Sequence, residues 1–239
     1  MKNSGIKILL IIPAYNEEAS IKKTIDTVAN AKYDYVIIND GSTDKTRHII
    51  EENHYNHITL LSNLGIGGAV QTGYKYADEN NYDIAIQFDA DGQHDINYVQ
   101  SLINPIFNKE ADLVVGSCFV DKTLKNQRSS KIRRFGIHLL SDIIRLFSGK
   151  RIHDPTSGFR AANRKVIKLF AKNYPTEYPE PISDYELLRS SHYKIKEVPV
   201  KMNKRIAGKS SIHSWKSVYA AINVFLSIVI LSLGRKSHD

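Results

Sequence analysis

The sequence contains a single cysteine, Cys118, among its 239 residues. An internal disulfide is therefore excluded, and so is a cysteine-rich metal site. Both points are consistent with a protein of a reducing compartment. The remaining composition, 42% hydrophobic and 24% charged, is that of an ordinary globular protein able to bury a core.

The C-terminal apolar stretch is too short to be a typical membrane span. Residues 218–233 cover about 16 residues, or roughly 24 Å as a helix, whereas a bilayer core is about 30 Å thick. Asn223, Ser227 and Ser232 interrupt the stretch. We expect a helix that lies in the membrane interface or packs on a partner, with a core helix or a true membrane span as the alternatives.

Acidic residues are outnumbered, which leaves a net charge of +8. Two basic clusters, 124–135 and 201–211, suit phosphorylated substrates or an anionic membrane surface. Solvated surface lysines are the plain alternative. A nucleic-acid partner is not expected, because single-strand binding needs aromatic residues among the basic ones and the first cluster contains only Phe135.

Apolar, β-rich runs alternate with helix-like segments in the first half of the chain. Strands are expected at 6–13, 35–39, 57–61, 84–88 and 112–117. Helices are expected at 17–30, 43–53, 67–79 and 96–107. This alternation predicts an α/β fold, with a mostly parallel sheet flanked by helices. The loops that follow the strands should meet at one edge, where such sheets bind ligands.

The pattern changes after residue 118. A basic amphipathic region leads to "HDPTSGFRA" (153–161), a short helix, a Pro-rich loop (174–184), another helix and a strand at 195–200. We expect one domain over residues 1–212, with a nucleotide half (1–117) and an acceptor half (118–212). The C-terminal helix, within 213–239, would associate with a membrane or mediate oligomerisation.

The stretch "IQFDADGQHD" (86–95) places Asp89, Asp91 and Gln93 at alternate positions after an apolar strand. Two close carboxylates repel each other unless a cation lies between them. The spacing does not fit an EF-hand, whose sixth position is Gly and whose twelfth is Glu. Oxygen ligands favour Mg²⁺ or Mn²⁺. A solvated acidic turn is the alternative.

Two further loops belong to the same predicted edge. In "NDGSTD" (39–44), Gly41 and Ser42 suit a plain turn, whereas Asp40 ends an apolar strand where a ligand would bind. The glycine-rich stretch "NLGIGGAVQTGYKYA" (63–77) fits neither a Rossmann motif nor a P-loop. It could hold a phosphate or allow close backbone packing.

Six motifs in order resemble the family 2 inverting glycosyltransferases of the GT-A fold. They are "IPAYNEE", "NDGSTD", "NLGIGGAVQTGYKYA", "DADGQHD", "DPTSGFRA" and "KEVPVKMNKRIAGKSS", and they span residues 6 to about 212. The resemblance is strongest to the branch of dolichyl-phosphate mannose synthases and their bacterial polyprenyl-phosphate relatives. It implies a GT-A-type single domain.

The donor-binding residues implied by the resemblance are, in chain order, Pro13, Tyr15, Glu17, Asp40, Asp89, Asp91, Gln93, Arg205 and Lys209. The first three match the loop that holds the nucleoside, and Asp40 matches the residue that contacts the base. Asp89, Asp91 and Gln93, in the segment 89–95 that we call the acidic loop, would bind the metal and the diphosphate. The last two would close over the phosphates.

The acceptor side follows the family pattern less closely. Asp184 falls nearest to the position of the family's catalytic base, with Glu180 and Glu186 as rivals. Residues 116–119 read Gly-Ser-Cys-Phe where the polyprenyl branch usually has Gly-Ser-Arg-Tyr, and Arg134 is followed at the fourth position by His138 instead of Ser. These departures favour an acceptor hydroxyl over a bare lipid phosphate.

The sequence thus predicts a glycosyltransferase that uses Mg²⁺ or Mn²⁺ and a nucleotide diphosphate sugar. We expect it to modify a lipid-linked saccharide in cell-envelope polysaccharide synthesis, as a cytoplasmic protein bound peripherally to the inner face of the cell membrane. The alternatives are a polyprenyl-phosphate glycosyltransferase and a non-catalytic nucleotide-sugar binding module. A sugar-nucleotide pyrophosphorylase would need a Gly-rich first loop with Arg and Lys in place of "PAYNEE". The C-terminal helix could also mediate formation of a homo-oligomer.

Overall fold

The structure of the protein, a computed structural model, describes residues 5–121, 131–203, 205 and 214–233. Its strands are β1 (Ile8–Ala14), β2 (Asp34–Asn39), β3 (His57–Thr59), β4 (Ile84–Gln87), β5 (Leu113–Ser117), β6 (Arg160–Asn163) and β7 (Ile195–Pro199). Its helices are α1 (Ile21–Asn30), α2 (Thr46–Glu52), α3 (Gly65–Glu79), α4 (Val99–Phe107), α5 (Lys131–Ser148), α6 (Arg164–Lys172), α7 (Pro179–Arg189) and α8 (Ser214–Leu233).

The strands form one sheet in the order β3-β2-β1-β4-β6-β5-β7. The first four strands are mutually parallel, and β5 is parallel to β7. Only β6 runs against its neighbours, β4 and β5. The expected α/β fold with a mostly parallel sheet is confirmed, and the loops after β1, β2 and β4 leave the sheet at the same edge.

Both faces of the sheet are covered, so β1 is apolar along its whole length. Leu9 and Ile11 point to the side covered by α3 and α5 to α8. Leu10 and Ile12 point to the side covered by α1, α2 and α4. Because successive residues of a strand face opposite sides, each core takes every second residue of β1.

Two glycines of α3, Gly67 and Gly73, serve close packing. A Cβ atom on Gly73 would lie 2.2 Å from Cγ2 of Ile11, and one on Gly67 would lie 2.3 Å from the carbonyl oxygen of Pro175. The helix can therefore lie directly on β1 and on the loop before α7 only because these positions lack side chains. Of the two interpretations of 63–77, the close-packing one accounts for these glycines.

Two elements differ from the sequence expectation. Strand β6, "RAAN", was not expected, because it is short and has no β-branched residue. Its place between β4 and β5, with pairing on both sides, decides its conformation. Helix α7 begins at Pro179, a residue preset for the first helical turn, so Asp184 lies inside the helix rather than at its start.

Helix α8 packs on α5 and α7 through one face only. Val224 and Ile228 are buried there, whereas Ile222, Leu226 and Ile230 on the other side are exposed. Within the described ranges, no helix is both long enough and apolar enough to cross a membrane.

Candidate active site

The loops after β1 and β2 are tied together by hydrogen bonds. The Asn16 side-chain oxygen accepts hydrogen bonds from the backbone N–H groups of Thr43 (2.8 Å) and Asp44 (3.3 Å). The Glu17 N–H donates to the Thr46 hydroxyl at 2.8 Å. Asn16 has a left-handed backbone, with φ of 55°, which asparagine tolerates better than most residues. The predicted convergence of these loops is confirmed.

Arg205 connects the first loop to the acidic loop. Its Nη2 lies 2.8 Å from Oε1 of Glu17, and its Nε lies 3.7 Å from Oδ2 of Asp91. Three of the predicted donor residues therefore meet at the carboxyl edge of the sheet. Tyr15 is exposed beside them, whereas Pro13 is buried within β1. Lys209 lies outside the described residues.

The acidic loop holds its two carboxylates in a partly dehydrated setting. Burial raises the pKa of Asp89 and of Asp91, and the charge of Asp89 adds to the rise at Asp91. Asp91 accepts a hydrogen bond from the Gln93 N–H at 2.9 Å, and the Gln87 amide donates to Asp89 at 3.3 Å. Such a pair is suited to a divalent cation, which would offset its mutual repulsion.

The protein alone does not supply a complete metal cage here. Among the residues that the structure describes, no group of three or more His, Cys, Asp or Glu side chains could hold a metal ion. A cation at Asp89 and Asp91 would need further ligands from a bound molecule, as Mg²⁺ commonly takes from phosphates.

His94 supports the acidic loop as a neutral side chain. Burial lowers its pKa to about 4, and its ring stacks on Phe159 with the centroids 4.5 Å apart. Its Nδ1 accepts a hydrogen bond from the Asp89 N–H at 2.9 Å, so the ring proton is on Nε2. Gly158 makes room beside the loop, because a Cβ atom there would lie 2.7 Å from the Gln87 amide nitrogen.

Asp40 has a structural partner in addition to its predicted contact with the base. It is 3% exposed, and its Oδ1 accepts a hydrogen bond from the Leu64 N–H at 2.7 Å. Burial raises the pKa of Asp40, and this hydrogen bond opposes the rise. The carboxylate thus caps α3, which begins at the next residue. Its contact with a nucleobase remains a prediction.

Asp184, the first candidate for the base, is paired with Arg160 inside the protein. Both side chains are fully buried, with Nη1 3.1 Å from Oδ1 and Nη2 3.4 Å from Oδ2. Burial raises the pKa of Asp184 to about 7, although the charge of Arg160 opposes the rise. Arg160 also donates to the Ser157 carbonyl oxygen at 2.7 Å. Sequence reasoning did not single out Arg160, because nothing local marks its partner.

The two rival carboxylates are placed differently. Glu180 is half-buried next to the acidic loop, where its Oε1 lies 3.5 Å from the same Gln87 nitrogen that contacts Asp89. Burial raises the pKa of Glu180, and Arg160 opposes the rise. Glu186 is half-buried further along α7, and burial raises its pKa as well. Of the three candidates, Glu180 is the one whose carboxylate shares a hydrogen-bond donor with Asp89.

A cavity of about 360 Å³ opens beside the acidic loop. Asp89 and Gln93 form one wall, α5 a second and the segment 151–158 a third. Its lining includes Arg134, His138, Arg151 and His153, together with the neutral His94 and the carboxylates of Asp89 and Asp154. The positions that depart from the family pattern, Cys118, Phe119 and His138, therefore all line this cavity, together with Arg134. Arg151 and His153 were missed, since the resemblance marked only the residues that follow them.

The fold and this edge define a GT-A-type enzyme, with nucleotide loops at one end of a parallel sheet and a cavity beside an acidic loop. The chain belongs to glycosyl transferase family 2, whose sequence profile matches residues 9–170. It is accordingly a glycosyltransferase, and the resemblance drawn from the motifs is confirmed.

The relatives cover nearly the whole chain. This chain is 34% identical to the UDP-N-acetylglucosamine–dolichyl-phosphate N-acetylglucosaminyltransferase of Methanococcus voltae, and the match covers 95% of this chain and 97% of that protein. It is 26% identical to the undecaprenyl-phosphate mannosyltransferase of Micrococcus luteus, over 92% and 93%.

A solved structure shares the fold. Glucosyl-3-phosphoglycerate synthase from Mycobacterium tuberculosis, in complex with Mn²⁺, UDP and phosphoglyceric acid, matches with a TM-score of 0.73 at 18% identity. The match covers 98% of this chain and 81% of that one. The expected GT-A fold class is confirmed.

Proposed function

We propose that the protein transfers a sugar from a nucleotide diphosphate sugar to a polyprenyl phosphate, with inversion at the anomeric carbon. The sequence alone favoured a lipid-linked saccharide as the acceptor and gave polyprenyl phosphate as the alternative. The observation that carries the proposal is the cavity beside the acidic loop, where Arg134 and Arg151 lie together with His138 and His153. A phosphate monoester is the acceptor group that such a lining would recognise.

The donor would bind across the three loops. Asp89 and Asp91 would hold Mg²⁺ or Mn²⁺ together with the diphosphate, and their raised pKa values fit that use. The cation would supply charge stabilisation for the leaving nucleoside diphosphate. Arg205, next to Glu17 and Asp91, is positioned to meet the same phosphates. Lys209 stays a proposed phosphate contact from the resemblance alone.

The acceptor would need no general base. A lipid phosphate is already anionic at neutral pH, so its oxygen can attack the anomeric carbon as the bond to the diphosphate breaks. This agrees with Asp184, which is buried against Arg160 and does not line the cavity. Arg134 and His138, one turn apart on α5, would hold the phosphate during the attack. The names of the two relatives specify acceptors of this class.

We further propose that the enzyme works peripherally on the anionic inner face of the cell membrane. Helix α5 lines the cavity with Arg134 and His138 and exposes Phe135, Leu139 and Leu146 elsewhere on its surface. It packs beside α8, whose exposed residues are also apolar. Exposed apolar surface next to basic charge suits insertion among anionic headgroups. The cavity would then lie close to the lipid phosphate.

The direct test of function is a transfer assay with paired acceptors. The protein is incubated with Mn²⁺ and a panel of UDP- and GDP-sugars, beginning with UDP-N-acetylglucosamine. One arm contains undecaprenyl phosphate and the other an undecaprenyl-diphosphate-linked sugar. We expect mass spectrometry to find a lipid monophosphate sugar in the first arm. Product in the second arm alone would restore the saccharide acceptor, and binding without product in either would favour a non-catalytic module.

The membrane proposal has a separate test. Liposome flotation should recover the protein with anionic vesicles more than with neutral ones. The double variant Leu226→Gln/Ile230→Gln, in the exposed face of α8, should reduce that recovery. Equal recovery in the soluble fraction with both kinds of vesicle would point to oligomerisation through α8 instead.

A further inference from the structure

Glu197 on β7 accepts three hydrogen bonds from two consecutive residues beside the cavity. Its Oε2 accepts from the His153 N–H (2.8 Å) and from the His153 ring Nδ1 (2.7 Å). Its Oε1 accepts from the Asp154 N–H at 2.9 Å. The Glu197 side chain is only 10% exposed. One carboxylate of the edge strand thus fixes both the backbone and the imidazole of residue 153.

The segment that begins at His153 is the third wall of the cavity. Asp154 accepts a hydrogen bond from the Thr156 hydroxyl at 3.1 Å, and its carbonyl oxygen accepts from the Ser157 N–H at 3.2 Å. The Ser157 hydroxyl donates to the Gly116 carbonyl oxygen at 2.6 Å. Glu197 therefore anchors a wall that is already rigid at its far end.

The contact with the ring goes beyond what anchoring the backbone needs. Because a carboxylate only accepts, Nδ1 of His153 carries a proton, and among the residues that the structure describes Nε2 of the ring has no hydrogen-bond partner. The His153 side chain is 49% exposed and lines the cavity with Arg134, His138 and Arg151. Of these, Arg151 already faces Asp142 at 3.3 Å.

We propose that Glu197 is a positioning residue that orients His153, so that Nε2 of His153 contacts the phosphate of the acceptor. The inference rests on the proposed lipid-phosphate acceptor. It assigns His153 a binding contact in addition to Arg134 and His138. It assigns Glu197, which touches no substrate, the task of holding the imidazole in one orientation with Nδ1 protonated, so that a proton can be shared between Nε2 and an oxygen of the phosphate.

The test uses the full chain and a soluble acceptor analogue, farnesyl phosphate, with farnesol as the probe that lacks the phosphate. The variants are His153→Phe, Glu197→Gln and the double variant. The matched control is Glu110→Gln, which removes an exposed carboxylate paired with Lys196, the neighbour of Glu197 on β7. Calorimetry measures the affinity of each protein for farnesyl phosphate, for farnesol and for a nucleoside diphosphate with Mn²⁺.

We expect His153→Phe and Glu197→Gln each to weaken farnesyl phosphate binding by about tenfold to a hundredfold, the loss typical of one hydrogen bond to a charged group. The double variant should lose no more than either single one, since both changes remove the same contact. Binding of farnesol and of the nucleotide should not change. Nitrogen NMR of the histidine rings adds a second readout: the His153 signals, identified by their loss in His153→Phe, should shift on addition of farnesyl phosphate.

The failures of the two proposals can be told apart. Wild-type protein that does not bind farnesyl phosphate would refute the lipid-phosphate acceptor, and this inference with it. If the wild-type protein binds farnesyl phosphate and Glu197→Gln binds it as tightly as the control Glu110→Gln, this inference alone is overturned. So would a Glu197→Gln protein that loses nucleotide binding and thermal stability together, because Glu197 would then be a general structural clamp.

Discussion

The Asp184→Asn variant should mainly cost stability. Asp184 and Arg160 are fully buried and joined by two contacts, at 3.1 and 3.4 Å. Removing one partner of a buried ion pair leaves an uncompensated charge and typically costs about 3–5 kcal/mol. Asparagine keeps one acceptor oxygen for Arg160, so we expect the lower value, about 3 kcal/mol. For a chain of this size that corresponds to a fall of roughly 6–12 °C in Tm.

The assay combines urea unfolding with transfer measured well below the lowered Tm. Folded Asp184→Asn should retain transfer, because the carboxylate does not line the cavity. Glu186→Gln, on the same helix, is the control without an ion pair to Arg160. The double variant Arg160→Met/Asp184→Leu should be more stable than Asp184→Asn, since no buried charge is then left alone.

The opposite outcome would refute this reasoning. A general base contributes about 10²–10⁴ to turnover. If Asp184→Asn unfolds at the wild-type urea concentration but loses transfer by that factor, Asp184 is the base. The acceptor is then a hydroxyl, as the sequence first suggested.

Three further predictions concern the donor half. Asp91→Asn keeps the hydrogen bond from the Gln93 N–H, so it should fold normally but lose metal-dependent donor binding; near-normal turnover in EDTA would contradict the metal site. Asp40→Asn keeps the cap on Leu64 and should weaken nucleoside diphosphate binding by about 1–3 kcal/mol, whereas Asp40→Ala should also cost about 1 kcal/mol of stability. An unchanged calorimetric affinity for Asp40→Asn would remove this residue from the site. The pKa of His94 is lowered to about 4, below its unfolded value of about 6.5. Its contribution to the free energy of unfolding, roughly 3 kcal/mol, is therefore present above pH 6.5 and is lost as the pH falls towards 4. His94→Asn should flatten the stability curve in that window, and parallel curves for the two proteins would contradict the assignment.

Much of the donor half could be predicted from local pattern. Apolar runs such as 84–88 marked strands, and the polar residues after them marked the ligand edge, because parallel strands place their carboxyl ends together. The Asn16 and Arg205 contacts show the loops meeting there. Strand β6 escaped prediction since a four-residue, alanine-rich segment carries no periodic signal.

The sequence by itself determined the α/β class, the edge at which the acidic loop lies and the family. These follow from hydrophobic periodicity, from the alternation of strands and helices along the chain and from the spacing of the motifs. Only the tertiary structure decided which charges pair. Arg160 and Asp184 are 24 residues apart, and His153 and Glu197 are 44 apart. Such pairs form because the folded sheet brings β6 next to α7 and brings the 153–158 segment next to β7. Whether a carboxylate is a free base or a buried counter-ion depends on that packing, which no local pattern of residues records.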